Sequence, residues 1–294
     1  MSAARDPVIE TWWNQYRHLV RDVAYRVLGS VADAEDVVQD AYLRLLGQDP
    51  ATIDDPRAWL VTVASRRAVD RLRAHEHSRR VYVGPWLPEP ILADEGLSTE
   101  DRVTLDESVR MALLVTLERL SPAERTAFIL HDVFQLDFAS IAEILGVTAG
   151  SSRQLASRAR RRVQEDGQRR FSPDPAVARA LAEGFARACA EGDLEGLIAV
   201  LAPDVHGDFD HGGLIPGAPS EELVGADRVA RQLLAGFAGA SLAFEEAEVN
   251  GEPGVVARRD GRVLTVLSFD FDETRVTAIR GIGNPQKLRH LNVR

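Results

Sequence analysis

The sequence predicts a multidomain chain in which two all-α modules, the second a helix-turn-helix, precede an α+β domain. Three observations carry this prediction. Helical periodicity and helix-capping residues run through residues 9–80 and 117–163. A stretch rich in proline and glycine separates these two parts, and beyond residue 204 short apolar runs alternate with turn residues. At 294 residues the length allows two or three domains, each with its own core.

The formal net charge is −10, and it is spread unevenly. Residues 1–170 carry 23 basic and 26 acidic side chains, net −3, whereas residues 171–294 carry 12 and 19, net −7. The C-terminal part is therefore not built to bind phosphate. The N-terminal part is only locally basic, so a large protein partner is expected to supply part of any DNA affinity. Every basic residue is an arginine except Lys287.

Cysteine usage and hydropathy indicate a soluble cytoplasmic protein without metal or cofactor. The single cysteine, Cys189, excludes an intramolecular disulfide and a cysteine-cluster metal site. Its spacing from Leu181 and Phe185 places it on the apolar face of a helix, where we expect it to pack. No segment approaches the roughly 20 apolar residues of a membrane span, and the first residues lack the pattern of a leader peptide.

The first module should contain an acidic helix. Ser30 and Asp33 have capping-box spacing and introduce VADAEDVVQDAYLRLL, in which Asp33, Asp36 and Asp40 share one face. Taken alone, this face could simply be solvated.

A second helix of this module, from Asp55 to about Ala74, carries an aromatic and basic stripe. Trp59, Arg66, Asp70 and Arg73 fall in one narrow sector at 100° per residue. Such a surface suits single-stranded DNA, because bases stack on the ring and phosphates meet the cations. A core tryptophan beside surface charges is the alternative.

The second module has the local signals of a helix-turn-helix. Ser121 and Glu124 form a capping box, Asp137 caps a second helix, and Gly146 permits a tight turn into a third from about Ala149 to Val163.

The outward positions of this third helix are polar and basic, which suits base contacts first and phosphate contacts next. The predicted DNA contacts are Ser151, Arg153, Gln154, Ser157, Arg158 and Arg161. Ser152 departs from the pattern, since this position usually carries an apolar residue facing the preceding helix. A solvated arginine run is the alternative to DNA binding.

In this order, the DAEDVVQDAYLRL helix, the DPRAWLVTVASRRAVDRLR helix and the helix-turn-helix resemble bacterial sigma factors of the extracytoplasmic-function (ECF) family over residues 9–166. The resemblance implies core RNA polymerase and promoter DNA as partners. It implies that Asp33, Asp36, Gln39 and Asp40 dock on the clamp helices of the largest polymerase subunit. It implies also that the downstream (Pribnow) element is opened and read by Trp59, Arg66, Arg67, Asp70 and Arg73, and the upstream element by the third helix of the helix-turn-helix.

The domains predicted on this basis are sigma domain 2 at residues 1–80, a flexible linker at 81–107, sigma domain 4 at 108–166 and a C-terminal domain at 172–294. The linker, with its prolines, glycines and acidic residues, should be extended and mobile. Its YVGPWLPEP segment resembles the sigma J type of ECF factors, which bears a C-terminal SnoaL-like domain. Trp86 either anchors the linker to a neighbour or contacts nucleic acid.

The C-terminal domain should place helices on one face of an antiparallel sheet. Helices follow Asp174 and Asp193, a strand spans Val205–Phe209, and a helix spans Ala226–Phe237. Three or four strands follow, with Asp260 in a hairpin turn. This order resembles the SnoaL-like (NTF2-like) cone over about residues 172–283.

Some cones of this family are isomerases or cyclases that use an aspartate as general base, and Asp208, Asp210 and His211 could be assigned such a role. Strand alternation places both carboxylates on the face opposite Gly207 and Phe209, where solvation alone would account for them. We therefore expect no catalytic residue.

The sigma J resemblance gives these residues a regulatory role instead. That group carries a DGGGK- or DGGGR-like loop and an NPDKL-like tail, both implicated in control of the sigma modules. The implied regulatory residues are Asp210, Gly212, Gly213, Asn284, Pro285, Lys287 and Leu288. The loop departs from the pattern with His211 for glycine and Leu214 for the basic residue. His211 could titrate near neutrality, or it could be an exposed loop histidine with no role.

The sequence thus predicts a sigma factor for promoter-specific transcription initiation, modulated through an intramolecular contact by its fused cone. One alternative is a bifunctional regulator whose cone binds or converts a small metabolite. Another is a dimeric repressor that acts without polymerase, against which the acidic clamp-type helix argues.

Overall fold

The computed structural model describes four stretches of the chain, namely residues 6–93, 109–167, 174–215 and 218–292. They belong to two compact units. One comprises Met1–Ser78 and Thr116–Gln164, and the other comprises Arg79–Val115 and Glu165–Arg294. Part of the predicted linker, residues 94–107, and the predicted start of the C-terminal domain at 172–173 lie outside the described residues.

Seven α-helices precede the C-terminal domain in the described chain, among them the predicted acidic helix and the three predicted helices of the helix-turn-helix. They are α1 (Pro7–Leu28), α2 (Val31–Leu46), α3 (Pro56–Arg80), α4 (Met111–Glu118), α5 (Pro122–Phe128), α6 (Phe138–Leu145) and α7 (Ala149–Gly167). The capping box of Ser121 and Glu124 is present, Asp137 caps α6, and Gly146 has the positive φ of 70° that the turn requires. The helix-turn-helix prediction is confirmed.

A π-helical turn that the sequence did not predict follows α5, at Ile129–Val133. It inserts an extra residue into the helical ladder, so the Phe134 amide donates to the Ile129 carbonyl five residues back. The turn brings Phe134 against α1, where the Arg26 guanidinium lies 5.6 Å from the ring centre.

Two arginines are buried within the helical unit. Arg26 is 2% exposed and Arg125 is 1% exposed. Arg125 pairs with Glu118 at 2.5 Å and donates to the Arg26 carbonyl at 3.3 Å, while Arg26 pairs with Asp22 at 3.2 Å. Buried charges are tolerated only when paired and hydrogen-bonded, so these contacts hold α1 against α5.

The C-terminal unit has three helices and a six-stranded sheet. Its elements are α8 (Pro175–Glu191), α9 (Leu194–Val200), β1 (Leu201–Asp210), β2 (Leu223–Val224), α10 (Ala226–Phe237), β3 (Ala243–Val249), β4 (Glu252–Arg259), β5 (Arg262–Phe271) and β6 (Val276–Ile282). The strand order is β2-β1-β6-β5-β4-β3. The pairing is antiparallel as predicted, except that β1 and β6 run parallel.

The two faces of this sheet have separate cores. The three helices cover one face, where Phe185, Phe209 and Phe269 pack together. Cys189 lies in the same core as predicted, and burial raises the pKa of its thiol to about 12, so it stays protonated. The opposite face is covered by the linker and the C-terminal tail, through residues such as Leu87 and Leu288.

For the described part of the linker, the structure differs from the predicted mobile tether. Leu87 and Leu92 are buried against the sheet, and Leu92 forms a β-bridge with Val249 at the end of β3. The proline-rich composition keeps this segment extended, and its leucines find an apolar sheet face to cover. An extended backbone is compatible with a fixed position.

Replacing Glu118 by Gln should destabilise the helical unit by roughly 3–5 kcal/mol, because Arg125 would keep a buried charge without its counter-charge. The measurement is the urea midpoint combined with hydrogen exchange of α5 amides. The paired change of Glu118→Leu with Arg125→Met should cost less than the single change, since neither member of this pair is then left as an unpaired buried charge. Glu143→Gln, at an exposed position of α6, is the control. Equal midpoints for Glu118→Gln and this control would contradict the assignment.

Candidate functional site

Three segments distant in the sequence converge at one end of the cone. They are the linker residues 82–92, the loop after β1 at 210–214, and the tail at 284–288. We call this cluster the latch. It contains every residue that the resemblance implied to be regulatory, together with Trp86 and with linker residues that the sequence analysis did not name, among them Tyr82 and Leu87.

Lys287, the only lysine in the chain, lies at the centre of the latch and is 4% exposed. Its ammonium group pairs with Asp210 at 2.6 Å and donates to the Leu87 carbonyl. The ammonium nitrogen lies 3.6 Å from the ring centre of Trp86 and 5.2 Å from that of Tyr82. The linker therefore encloses the lysine with two aromatic faces and a carbonyl, which suits a desolvated cation.

Asp210 is fully buried, and four donors satisfy its carboxylate. They are Lys287 Nζ at 2.6 Å, Tyr82 Oη at 2.5 Å, the Leu87 amide at 2.9 Å and the Gly212 amide at 3.2 Å. The expectation of a solvated carboxylate is wrong for Asp210. Alternation does place it opposite Phe209, but that face is closed by the linker and the tail. Both oxygens of Asp210 are therefore committed to donors from the linker, the loop and the tail.

The Tyr82 hydroxyl connects all three segments. It donates to Asp210 and accepts from the Asn284 side-chain amide at 2.7 Å. Burial and the hydrogen bond to Asp210 raise the pKa of Tyr82 well above its ordinary value, so the hydroxyl stays protonated and continues to donate. Asn284 also accepts from the Gln286 amide, which shapes the turn that presents Lys287.

Gly212 and Gly213 are required by close approach as well as by backbone conformation. Their φ angles are 61° and 71°. A Cβ at Gly212 would lie 2.5 Å from the Asn284 side chain, and one at Gly213 would lie 3.0 Å from Val83. A side chain at either position would therefore strain the backbone and crowd the tail or the linker.

His211 is half-buried, not an exposed loop histidine. Burial lowers its pKa, and the charge of Asp210 opposes this only in part. The ring is therefore neutral near pH 7. Its Nδ1 lies so close to Gly283 that a Cβ there would be 2.6 Å away. Asp208, the other carboxylate considered for catalysis, is partly exposed on the strand before it.

A second contact between the linker and the cone lies at Ile91 and at Val109, just before α4. Asn250 accepts from the Ile91 amide at 3.0 Å and donates to the Val109 carbonyl at 2.8 Å. Arg110 pairs with Glu252 at 3.3 Å. Both described ends of the linker are thus held by the same sheet edge.

The cone also has an open depression of about 530 Å³ on its surface, lined in part by Ile198, Val224, Arg228 and Arg275. Arg275 donates to the Leu201 carbonyl at 3.1 Å. The depression lies outside the aromatic core and contains none of the residues predicted for the site.

The DNA-facing residues predicted on α7 divide into two groups. Arg153, Gln154, Ser157 and Arg161 are exposed. Arg158 is exposed too, but it pairs with Glu124 at 3.1 Å, as does Arg162 at 3.1 Å. Although burial raises the pKa of Glu124, the Ser121 hydrogen bonds and these two arginines hold it below its ordinary value. Arg158 thus has a structural partner that the prediction did not include.

Two serines of α7 are placed by hydrogen bonds. Thr148 caps the start of α7, because its hydroxyl accepts from the Ser151 amide at 3.1 Å, and the half-buried Ser151 has its own hydroxyl 2.9 Å from that of Thr148. Ser152 is fully buried, and its hydroxyl donates to the Phe138 carbonyl at 2.8 Å. A serine can therefore occupy this usually apolar position, because its buried hydroxyl is satisfied by a hydrogen bond to α6.

The acidic face of α2 contacts basic residues of α3. Arg71 pairs with Asp33 at 3.1 Å and with Asp36 at 3.0 Å, and Arg67 pairs with Asp40 at 3.5 Å. The face is therefore not simply solvated, and Asp33 in particular is only 20% exposed. Asp36, at 54%, and Gln39 are the exposed members of the predicted polymerase surface.

The α3 stripe is present with one exception. Arg66, Asp70 and Arg73 are exposed and Trp59 is half-buried, as a binding surface requires. Arg67 instead faces α2, because it lies one position outside the sector that the other residues share.

Comparison with known proteins follows the same division of the chain. The family models for sigma-70 region 2 and sigma-70 region 4 match residues 12–78 and 110–163. SigJ of Mycobacterium tuberculosis, an ECF RNA polymerase sigma factor, is 41% identical over 291 residues, covering 92% of this chain and 90% of SigJ. SigI of the same organism, a probable ECF sigma factor, is 37% identical over 291 residues, covering 96% of this chain and 95% of SigI.

The crystal structure of the Mycobacterium tuberculosis extracytoplasmic function sigma factor SigJ matches with a TM-score of 0.74 at 36% identity, covering 96% of this chain and 98% of that chain. Because it covers almost the whole chain, this match extends over the C-terminal α+β domain as well as the helical modules. None of the described helices is both long and apolar enough to cross a membrane.

The two sigma-70 regions, each on its own helical module, define a sigma factor. Given the identity over almost the whole length, the chain belongs to the ECF family of RNA polymerase sigma factors and serves promoter-specific transcription initiation. Its sigma modules are followed by the α+β domain, over which the match to the SigJ structure continues.

Sequence reasoning missed Tyr82, Leu87, Asn250 and Arg71. A signal existed for Asn250, which precedes a glycine between two strands and has a positive φ of 52° in the turn. The two linker donors to Asp210, Tyr82 and Leu87, lie more than 100 positions before it in the chain, so their contact with it had no local signal.

Lys287→Met should release the linker from the cone, because Asp210 would lose its counter-charge in a buried site at a cost of roughly 3–5 kcal/mol. Amide hydrogen exchange of residues 82–92 should accelerate, while α8 amides report that the cone remains folded. Gln286→Met, at the exposed neighbouring position, is the matched control. Unchanged protection of residues 82–92 in Lys287→Met would show that the ion pair does not hold the linker.

Proposed function

We propose that the NTF2-like domain regulates the sigma modules by holding the linker between them. The observation that carries this proposal is the attachment of the linker to the cone at both described ends, through the latch and through Asn250. The cone thereby becomes part of the connection between the two promoter-binding modules.

The physical consequence is a change in tether length. A free linker of residues 81–107 could extend to about 90 Å. With residues 82–92 and 109–110 both bound to the cone, the chain between the modules can no longer take up this full extension. A shorter tether raises the effective concentration of one module at its site once the other is bound, and a fixed one costs less entropy on binding.

Regulation also requires two states with different free energies. The latch supplies such a switch, because its ion pair is buried and has partners in all three segments. If only one segment left the latch, Lys287 or Asp210 would remain buried without all its partners, which is unfavourable. The fully closed and fully open states of the latch are therefore favoured over intermediate ones. The cone acts in this proposal as a binding element for the linker, with no catalytic step.

For the polymerase, we propose that the exposed part of the α2 face, centred on Asp36 and Gln39, contacts the clamp helices. Asp33 and Asp40 support this surface through their ion pairs with α3. On α3, the exposed stripe of Trp59, Arg66, Asp70 and Arg73 is the surface for the downstream element.

For the upstream element, we propose that Arg153 and Gln154 contact base edges, with Ser157 beside them, and that Arg161 contacts phosphate. Their side chains are exposed, whereas the neighbouring Arg158 and Arg162 share the Glu124 carboxylate. This division separates sequence reading from charge-based affinity.

Release of the latch should lower promoter-dependent transcription by about fivefold or more, a typical magnitude for coupling between two sites. Lys287→Met and Tyr82→Phe would be compared with Gln286→Met in transcription with core RNA polymerase, on several promoters. Core binding in a pull-down should remain, because the α2 face is untouched. Unchanged transcription by both latch variants would refute regulation through the linker, and an increase would assign the latch a restraining role.

Arg153→Ala should reduce transcription only on promoters that carry the base it reads, since a good bidentate contact contributes about 1–3 kcal/mol of discrimination. Arg161→Ala should instead weaken all promoters alike and lower the salt dependence of binding. The measurement is transcription from promoters with single substitutions in the upstream element at two salt concentrations. Equal losses on every promoter for both variants would contradict the division.

A further inference from the structure

Among the described arginines of α7, the recognition helix of the helix-turn-helix, one has its side chain against an aromatic ring. The Arg153 guanidinium carbon lies 5.2 Å from the ring centre of Phe138. Arg153 is exposed and Phe138 is half-buried. Three other arginines of this helix contact carboxylates instead of a ring. Arg158 and Arg162 pair with Glu124, and Arg160 pairs with Asp132.

The Phe138 ring is itself held in place. The His131 ring stacks on it with 4.1 Å between ring centres and 30° between planes. His131 Nδ1 lies 3.0 Å from the Leu136 carbonyl, which accepts from its N–H. His131 belongs to the π-helical turn, so the extra residue of that turn helps to form the platform.

The backbone of Phe138 is connected directly to the recognition helix. Phe138 is the first residue of α6, directly after Asp137, which accepts from the amides of Ala139 and Ser140. The buried Ser152 hydroxyl donates to the Phe138 carbonyl at 2.8 Å. Because Ser152 and Arg153 are adjacent, this hydrogen bond sets the position of the ring relative to the Arg153 backbone.

We propose that Phe138 is a positioning residue that orients Arg153 for a guanine in the upstream promoter element. This inference rests on the proposed function, in which Arg153 reads a base. A free arginine samples many rotamers, and ordering them on binding costs free energy. A cation is attracted to an aromatic face even at an exposed site, so the ring restricts the guanidinium before DNA is bound. The guanidinium fork fits the O6 and N7 acceptors of guanine.

A direct measurement of the stack in solution is the Arg153 Nε–Hε resonance of the full chain. The ring current of Phe138 should shift it upfield, and the shift should disappear in Phe138→Leu and remain in Phe138→Tyr. An Arg153 resonance with the same shift in wild type and Phe138→Leu would overturn the proposal.

The functional test is transcription by the full chain with core RNA polymerase on promoters randomised in the upstream element. Phe138→Leu should lower the preference for guanine at the Arg153 position by about two- to fivefold, the range of an exposed cation–π contact. Phe138→Tyr should keep the preference. In the Arg153→Ala background, Phe138→Leu should have no further effect on it, whereas combination with Arg161→Ala should be additive.

The outcomes separate this inference from the proposed function. If Arg153→Ala abolishes the base preference and Phe138→Leu leaves it intact, positioning by Phe138 is refuted and base reading stands. If Arg153→Ala leaves every base preference unchanged, base reading by Arg153 is refuted and the positioning role falls with it. If Phe138→Leu lowers transcription equally on all promoters and also in the Arg153→Ala background, Phe138 is only a structural residue and the inference is overturned.

Discussion

The buried ion pair between Lys287 and Asp210 is the interaction on which the arrangement of the C-terminal unit depends. An unpaired charge in this site would cost several kcal/mol, so the carboxylate requires the ammonium group of the tail and the donors of the linker together. One carboxylate thereby joins Tyr82 and Leu87 to a strand more than 100 residues later in the chain. An apolar contact would bury as much area but would not demand the same set of partners.

Ion pairs have a similar organising role in the helical unit. They engage some of its exposed charged side chains and leave others without an internal partner among the described residues. Glu124 caps α5 and also pairs with two arginines of the recognition helix. On the acidic face of α2, Arg71 pairs with two carboxylates, those of Asp33 and Asp36. Among the described residues, Arg153 and Arg66 are exposed and have no such carboxylate partner, so binding a phosphate or a base would break no internal ion pair.

The local elements were largely predictable, because their causes are local. Capping by Ser121 and Asp137, the positive φ at Gly146 and the alternation of β5 each follow from a few neighbouring residues. The π-helical turn was not predictable, since nothing in its residues separates it from an ordinary helix end. The burial of Asp210 was not predictable either, because alternation assigns a face but does not say what covers that face.

From the sequence alone, two sigma modules, a linker and an α+β domain follow, since composition, periodicity and motif order act over short distances. The sequence also identified most latch residues through family resemblance, without their contacts. Only the tertiary structure decided that the described linker is bound to the cone, that Arg67 and Arg158 have carboxylate partners, and that Phe138 carries Arg153. The physical reason is that burial and ion pairing depend on which segments meet in space, and these segments lie up to about 200 positions apart.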